Sequence, residues 1–303
     1  MVRPEMTYFP HLLPKVKDIA ERSAAERIAS LETLHWIGYP RAQAVVARLG
    51  QLLTQPEVIR PTNLLIVGPS NNGKSMIAER FRRMHPPRES TDGNHQDIPV
   101  IIMQMPTTPS IRQFYAALLA ALGSPVIAPG TDMREQLVLR IMRLVGVRLV
   151  VIDELHNLLS GSPRQQREFL NLLRFLGNEL RVPLACLGTK DAYLAIRSDD
   201  QLENRFEPML LPRWSDDTDL ARLLTSFEAS LPLREPSGLN KPAMRALILN
   251  KSEGTIGEMA ALLTAAARFA MRQGCESIDS QVIKASDYRS PSERRRQFES
   301  AIA

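Results

Sequence analysis

Two short stretches of this chain carry residue types at spacings suited to phosphate chemistry. The first is Gly68-Pro69-Ser70-Asn71-Asn72-Gly73-Lys74-Ser75, followed by Met76. It fits G-x-x-x-x-G-K-[ST] and sits between an apolar run and a helix-forming segment, the context that gives the string meaning. Backbone N–H groups of such a loop, with a helix N-terminus behind them, cradle phosphate oxygens. Lys74 has the reach to meet the outer phosphates of ATP, and the Ser75 hydroxyl suits a Mg²⁺ shell. The second stretch, Leu149-Val150-Val151-Ile152-Asp153-Glu154, is an apolar run ending in adjacent carboxylates. Asp153 is placed to hold Mg²⁺ together with Ser75, and Glu154 to take a proton from an attacking water. The pair points to hydrolysis rather than phosphoryl transfer to a small acceptor.

Two further positions have alternative readings. Thr189, closing Cys186-Leu187-Gly188-Thr189, either contacts the γ-phosphate or its attacking water, or caps a helix over 190–196. Arg205 either reaches a neighbouring subunit's nucleotide site, as an arginine finger does, or makes a surface ion pair with Glu203 or Glu207. Arg213 is a weaker rival for the finger. His156 reads as a packing residue at a helix start rather than a catalyst.

The elements that must position these groups follow from hydrophobic patterning. Leu64–Val67, Pro99–Met103, Arg148–Ile152 and Val182–Leu187 are short and nearly unbroken by polar residues, as strands buried on both faces are. Helical patterns fill 74–84, 110–122, 132–145 and 164–181, the last opened by Ser162-Pro163. Strand alternating with helix predicts a doubly wound α/β domain with a parallel sheet. The intervening loops 85–97 and 123–131 read as surface excursions. Beyond Trp214 only helices are predicted, over 216–231, 241–251, 255–273 and 279–288. Upstream, Pro4, Pro10 and Pro14 predict an extended start, and Ser23 with Glu26 has capping-box spacing for a helix to about His35. A lead-in helix with Val45, Val46, Leu49, Leu52 and Leu53 follows the Gly38-Tyr39-Pro40 break. The expected division is an N-terminal extension (1–39), a nucleotide-binding α/β core (40–214), an all-helical lid (215–290) and a basic tail (291–303) that frays into solvent.

Composition narrows the classes. At 44% hydrophobic and a net charge of +5 over 303 residues, the chain has too much apolar content for intrinsic disorder. No apolar stretch approaches the roughly 18 residues of a membrane span. The first residues lack the apolar run of a signal peptide, and two distant cysteines form neither a disulfide framework nor a metal cluster, so a cytoplasmic location is expected. The charge permits nucleic-acid binding, while 5% aromatics argues against single-strand stacking.

Together these residues resemble an AAA+ ATPase: Walker A at 68–75, Walker B at 149–154, a sensor-1-like Thr189, an arginine-finger-like Arg205 and a helical lid. More narrowly, Trp36-Ile-Gly-Tyr-Pro-Arg41, Gln104-Met-Pro106, Asp153-Glu-Leu-His-Asn157 and Arg205-Phe-Glu-Pro-Met-Leu-Leu-Pro-Arg-Trp214 are similar to the TniB family of transposition ATPases, relatives of TnsC. The resemblance spans about residues 30–285. It implies a homo-oligomeric, ring or filament-forming regulator that assembles on duplex DNA with ATP and Mg²⁺. It also implies recruitment or activation of a DDE-type transposase, a target-selection protein as a further partner, and disassembly on hydrolysis. A replication-helicase loader, or a protein-remodelling or signalling ATPase without DNA, are the alternatives. One departure is that Glu253–Glu258 contains no sensor-2 arginine. With no evident reading helix, DNA contact is expected through phosphates. Thr107, Thr108 and Arg112 are the best local candidates, in a stretch that reads equally as a helix cap, and Arg294–Arg296 is a second candidate that reads rather as a solvated tail.

Overall fold

A computed structural model describes residues 9–32, 36–124 and 130–302. They fall into two compact units. One is Arg41–Pro212; the other joins the chain's first forty residues to everything from Arg213 onward.

The first unit is built on five parallel strands: β1 (Asn63–Val67), β2 (Val100–Gln104), β3 (Leu149–Asp153), β4 (Leu184–Gly188) and β5 (Phe206–Leu210), in the spatial order β2-β3-β4-β1-β5. β1 and β4 are buried along their whole length, and β3 until Asp153. That burial is why their sequences are apolar without alternation. β5 is an edge strand, exposed at Glu207, Pro208 and Leu210. Pro208, paired in register with Leu65, has no N–H to donate and is tolerated because the far side of β5 is unpaired. The register sets Gln104 opposite Asp153, and Val67 opposite both Gly188 and Leu210. All five strands therefore finish along one edge, where ligands of open α/β sheets bind.

Helices Lys74–Met84, Ile111–Ala121, Thr131–Leu144 and Pro163–Leu180 cover the sheet at the positions patterning predicts. The Ser162–Gln165 capping box is formed, with Pro163 at the first helical position. Packing is completed by edge-to-face rings, Phe114 on Phe169 at 5.0 Å between centroids. The expected excursion over 85–97 contains a two-rung hairpin, Arg88–Glu89 against Gln96–Asp97. The Asp92 carboxylate holds its turn by accepting from Ser90 Oγ and from Asn94 N at 3.1 Å. In the 123–131 loop, residues 125–129 lie outside the described set.

The second unit is helical. Pro14 does not extend the chain; it opens helix Pro14–Ala20, because proline's fixed φ suits the first turn. Pro4 lies outside the described residues. The Ser23–Glu26 capping box forms, but its helix runs only Ala24–Ser30, short of the expected His35, which lies outside the described residues. Helices Thr218–Ser230, Pro242–Ser252, Ile256–Arg272 and Ser280–Ala285 match the four predicted stretches, the last ending early. Arg27, 3% exposed, ties the N-terminal segment down: its guanidinium donates to Glu276 at 2.7 and 2.8 Å and to Pro232 O at 3.0 Å. The tail expected to fray is helix Pro291–Ile302. Reciprocal Ser290–Glu293 bonds begin it, and Lys251–Glu293 and Arg294–Glu258 ion pairs, both 2.7 Å, anchor its first turn.

Two outcomes follow. Arg27→Ala leaves the Glu276 carboxylate without its main partner, and urea unfolding should show a loss of about 3 kcal/mol. The Glu293 carboxyl is held down at about 2 by the Lys251 bond first and the Ser290 amide second. Its contribution is present above the ordinary carboxylate range and lost as pH falls towards 2, so acid unfolding monitored by circular dichroism should lose that component in Glu293→Gln.

Candidate functional site

The loop after β1 is stitched from both sides. Gly68 N donates to Gly188 O at 3.1 Å, and Leu211 N to Val67 O at 2.7 Å. The Asn72 amide, 2% exposed, donates to Leu211 O and Pro212 O at 2.9 and 3.0 Å. That side chain thus braces the loop against the segment following β5. Asn71 takes a left-handed φ of 59°, which Asn tolerates. Gly73 caps the following helix at φ 84°, a conformation open to glycine without steric cost. Pro69 and Met76 are half-buried and Ser70 exposed.

Lys74 begins the helix and is 5% exposed; its Nζ donates to Gly68 O at 2.9 Å and Pro69 O at 2.8 Å. An ammonium has three N–H groups, so the loop carbonyls leave one. Burial pushes the Lys74 pKa down, opposed by the charges of Glu154 and Asp153. Ser75 Oγ donates to Asp153 Oδ2 at 2.5 Å, joining the two sequence motifs. Asp153 Oδ1 accepts from Glu154 N at 2.8 Å. Glu154 is left-handed, φ 57° and ψ 38°, and starts the 3₁₀ turn Leu155–Ser160.

Thr189 closes β4 on the same edge. It stands at the cap of helix Lys190–Arg197 but makes no side-chain cap bond. Its Oγ1 is buried with no hydrogen-bond partner. Such an oxygen costs free energy unless something else satisfies it. Lys74, Ser75, Asp153, Glu154 and Thr189 are therefore brought together at the strands' C-terminal edge.

Arg205 is not part of that gathering. It precedes β5 on the opposite edge, and its Nη1 donates to Asn178 Oδ1 at 2.8 Å. Glu203 pairs instead with Arg197, and Glu207 with Arg48. Arg213 donates to Glu253 O in the helical unit. The segment after β2 is pinned by Met105 N to Asp153 O at 2.8 Å and by Ser160 Oγ to Thr107 O at 2.7 Å. Ser110 caps the next helix, leaving Thr107, Thr108 and Arg112 side chains exposed.

Sequence reasoning missed one group. His156 was expected to pack at a helix start, yet its Nε2 lies 3.0 Å from Glu154 Oε2. A histidine two residues beyond an acidic pair was the available signal. Among the described residues no cluster of three or more His, Cys, Asp or Glu could hold a metal, and no helix is long and apolar enough to cross a membrane. A single ion beside Ser75 and Asp153 would instead draw on two protein oxygens and on phosphate and water, the pattern Mg²⁺ favours.

A family model described as bacterial TniB protein matches residues 27–216. No functionally curated protein matches the chain. Among solved structures, the chain is similar to the Aeropyrum pernix ORC1 protein in complex with DNA, with a TM-score of 0.61 and 17% identity over 91% of this chain and 69% of that one. It is similar to Aeropyrum pernix ORC2 in ADPNP–ADP complexes (TM-score 0.57, 20% identity, 85% and 70% covered). A third likeness is to Drosophila ORC bound to DNA (TM-score 0.56, 14% identity, 88% and 65% covered). At these identities the likeness is one of fold: a P-loop AAA+ parallel sheet with a helical C-terminal region.

Lys74→Ala removes the one cation of the loop, and should abolish binding of a fluorescent ATP analogue while leaving thermal unfolding of the chain cooperative.

Proposed function

The chain belongs to the bacterial TniB family, and from that premise we propose that it is an ATP-hydrolysing, DNA-binding regulator of transposition. In this reading it assembles as a cytoplasmic homo-oligomer, a ring or helical filament, on duplex target DNA in the ATP state. There it recruits or activates a DDE-type transposase, with a target-selection protein as a further partner. Hydrolysis disassembles it.

The observation that supports the reading is the Ser75–Asp153 bond, which joins the glycine-rich loop to the acidic pair. The loop amides and Lys74 bind the phosphates of ATP. Ser75 and Asp153 offer hard oxygen donors for Mg²⁺, which supplies charge neutralisation on the phosphate oxygens when bound. Glu154 accepts a proton from water, and the unpartnered Thr189 hydroxyl orients that water or the outermost phosphate. Arg205, on the far edge of its own sheet, is free of its own site and serves a neighbouring subunit's.

Support for duplex DNA comes from the exposed Thr107, Thr108 and Arg112, and from structural likeness to proteins solved on DNA. A charge of +5 per chain is modest, but repeated phosphate contacts along an oligomer add through avidity. The likeness to origin-recognition proteins equally favours a helicase-loader role. A transposase gene beside this one would separate the two.

Electron microscopy with random duplex DNA should show assemblies with ATP or a non-hydrolysable analogue and none with ADP. Glu154→Gln should bind ATP, hydrolyse it about 10²-fold or more slowly, and stay assembled. Absence of ATP-dependent DNA binding at low salt overturns the reading.

A further inference from the structure

Glu154 is pinned at its backbone but long at its side chain. Its left-handed φ of 57° is uncommon for a residue of this size, and its amide is held by Asp153 Oδ1 at 2.8 Å. Beyond Cα, three rotatable bonds separate that anchor from the carboxylate, so the acid needs a further restraint to meet a water in one geometry.

The restraint is His156. Its Nε2 lies 3.0 Å from Glu154 Oε2, with side-chain exposures of 24% and 33%. A carboxylate oxygen accepts and does not donate when ionised, so a hydrogen bond across this contact requires the proton on Nε2. The ring lies beside the end of β4. It stands on the 3₁₀ turn Leu155–Ser160, and a Cβ on Gly188 would lie 3.7 Å from its Nδ1 and 2.4 Å from Ala192 Cβ. Gly188 is what lets the next helix come this close, while the turn lies at ordinary contact distance. His156 Nδ1 is buried with no hydrogen-bond partner, which fits a bare ring nitrogen better than a buried N–H.

We propose that His156, as the neutral Nε2–H tautomer, is the positioning residue for Glu154: it holds one carboxylate oxygen and leaves the other to take the water's proton. The inference rests on the hydrolytic reading above for its consequence, but the tautomer stands apart from it.

Two measurements on the full chain test it. In nucleotide-free protein labelled with ¹⁵N-histidine, with the resonance assigned through His156→Gln, His156 should show a slowly exchanging Nε2–H proton, and Glu154→Ala should make its exchange fast. In ATP turnover with duplex DNA, His156→Ala should lower kcat about tenfold to a hundredfold while leaving KM for ATP unchanged. His156→Gln, whose amide N–H takes the place of Nε2, should restore most of the rate, and in the Glu154→Gln background His156→Ala should cost nothing further. A Nδ1–H tautomer, or a wild-type kcat in a His156→Ala protein that binds ATP normally, overturns the proposal. A wild-type chain that shows the protected Nε2–H, lost in Glu154→Ala, but never hydrolyses ATP upholds the pairing and overturns the hydrolytic reading instead.

Discussion

Everything at the site depends on β1 lying inside a parallel sheet with its end level with its neighbours'. Val67 faces Gly188 on one side and Leu210 on the other, so the phosphate loop emerges between two chain segments that can brace it. The braces are polar and local: Gly68 to Gly188, and Asn72 to Leu211 and Pro212. One strand further, β3 delivers Asp153 to the same edge. A slip of one residue in a parallel register would turn each strand's alternate faces and carry Asp153 away from Ser75. At the other edge Asn63 maintains the alignment, accepting from Leu184 N through Oδ1 at 2.9 Å.

The site gathers groups that burial penalises. Lys74 is almost wholly buried, and its pKa is pulled down for that reason. Thr189 Oγ1 and His156 Nδ1 are buried without partners. Elsewhere the α/β unit is held by apolar contacts of the strands with Phe81, Phe114, Phe169 and their neighbours. An unsatisfied buried polar atom costs roughly 1–3 kcal/mol, and such costs concentrate where a ligand or a reaction uses the groups. Of the buried side-chain atoms without a partner among the described residues, Thr189 Oγ1 and His156 Nδ1 lie at this edge, while Arg27 Nε and Gln55 Nε2 lie away from it.

The sequence reveals the elements of the α/β unit well because burial on both faces leaves an apolar signature that needs no partner to interpret. Helix Lys74–Met84 and the Ser162 cap are read to the residue. β5 is weaker in pattern because an edge strand keeps polar and exposed residues. The first and last segments misled for a different reason. Pro14 and the Arg294–Arg296 run look like chain-breaking or solvated features by local propensity, yet each sits in a helix whose order comes from distant partners. Leu13 N bonds Ala229 O, and Arg294 pairs with Glu258. The Walker residues are legible by spacing alone, since the loop's chemistry demands adjacency. His156 was not, because a histidine's meaning lies in which atom its ring reaches, and that is decided by the turn after β3.

The helical unit answers to a different physics from the sheet. Glu258 lies on helix Ile256–Arg272, 9% exposed, and accepts from both Tyr288 at 2.8 Å and Arg294 at 2.7 Å. Burial and the Glu258 bond together push the Tyr288 phenol up, so it stays a donor. Arg27 does for the N-terminal segment what Arg294 does for the last helix: a long cation spans segments far apart in sequence. Exposed pairs of this kind contribute little each, whereas the shielded Arg27–Glu276 pair is costly to break. The segment around Arg27 and the helix Pro291–Ile302 are thus attached by charge to one helical body, and the phosphate loop is attached by amides to one sheet. Changes in salt or pH act first on the former, while anions at the phosphate loop act first on the latter.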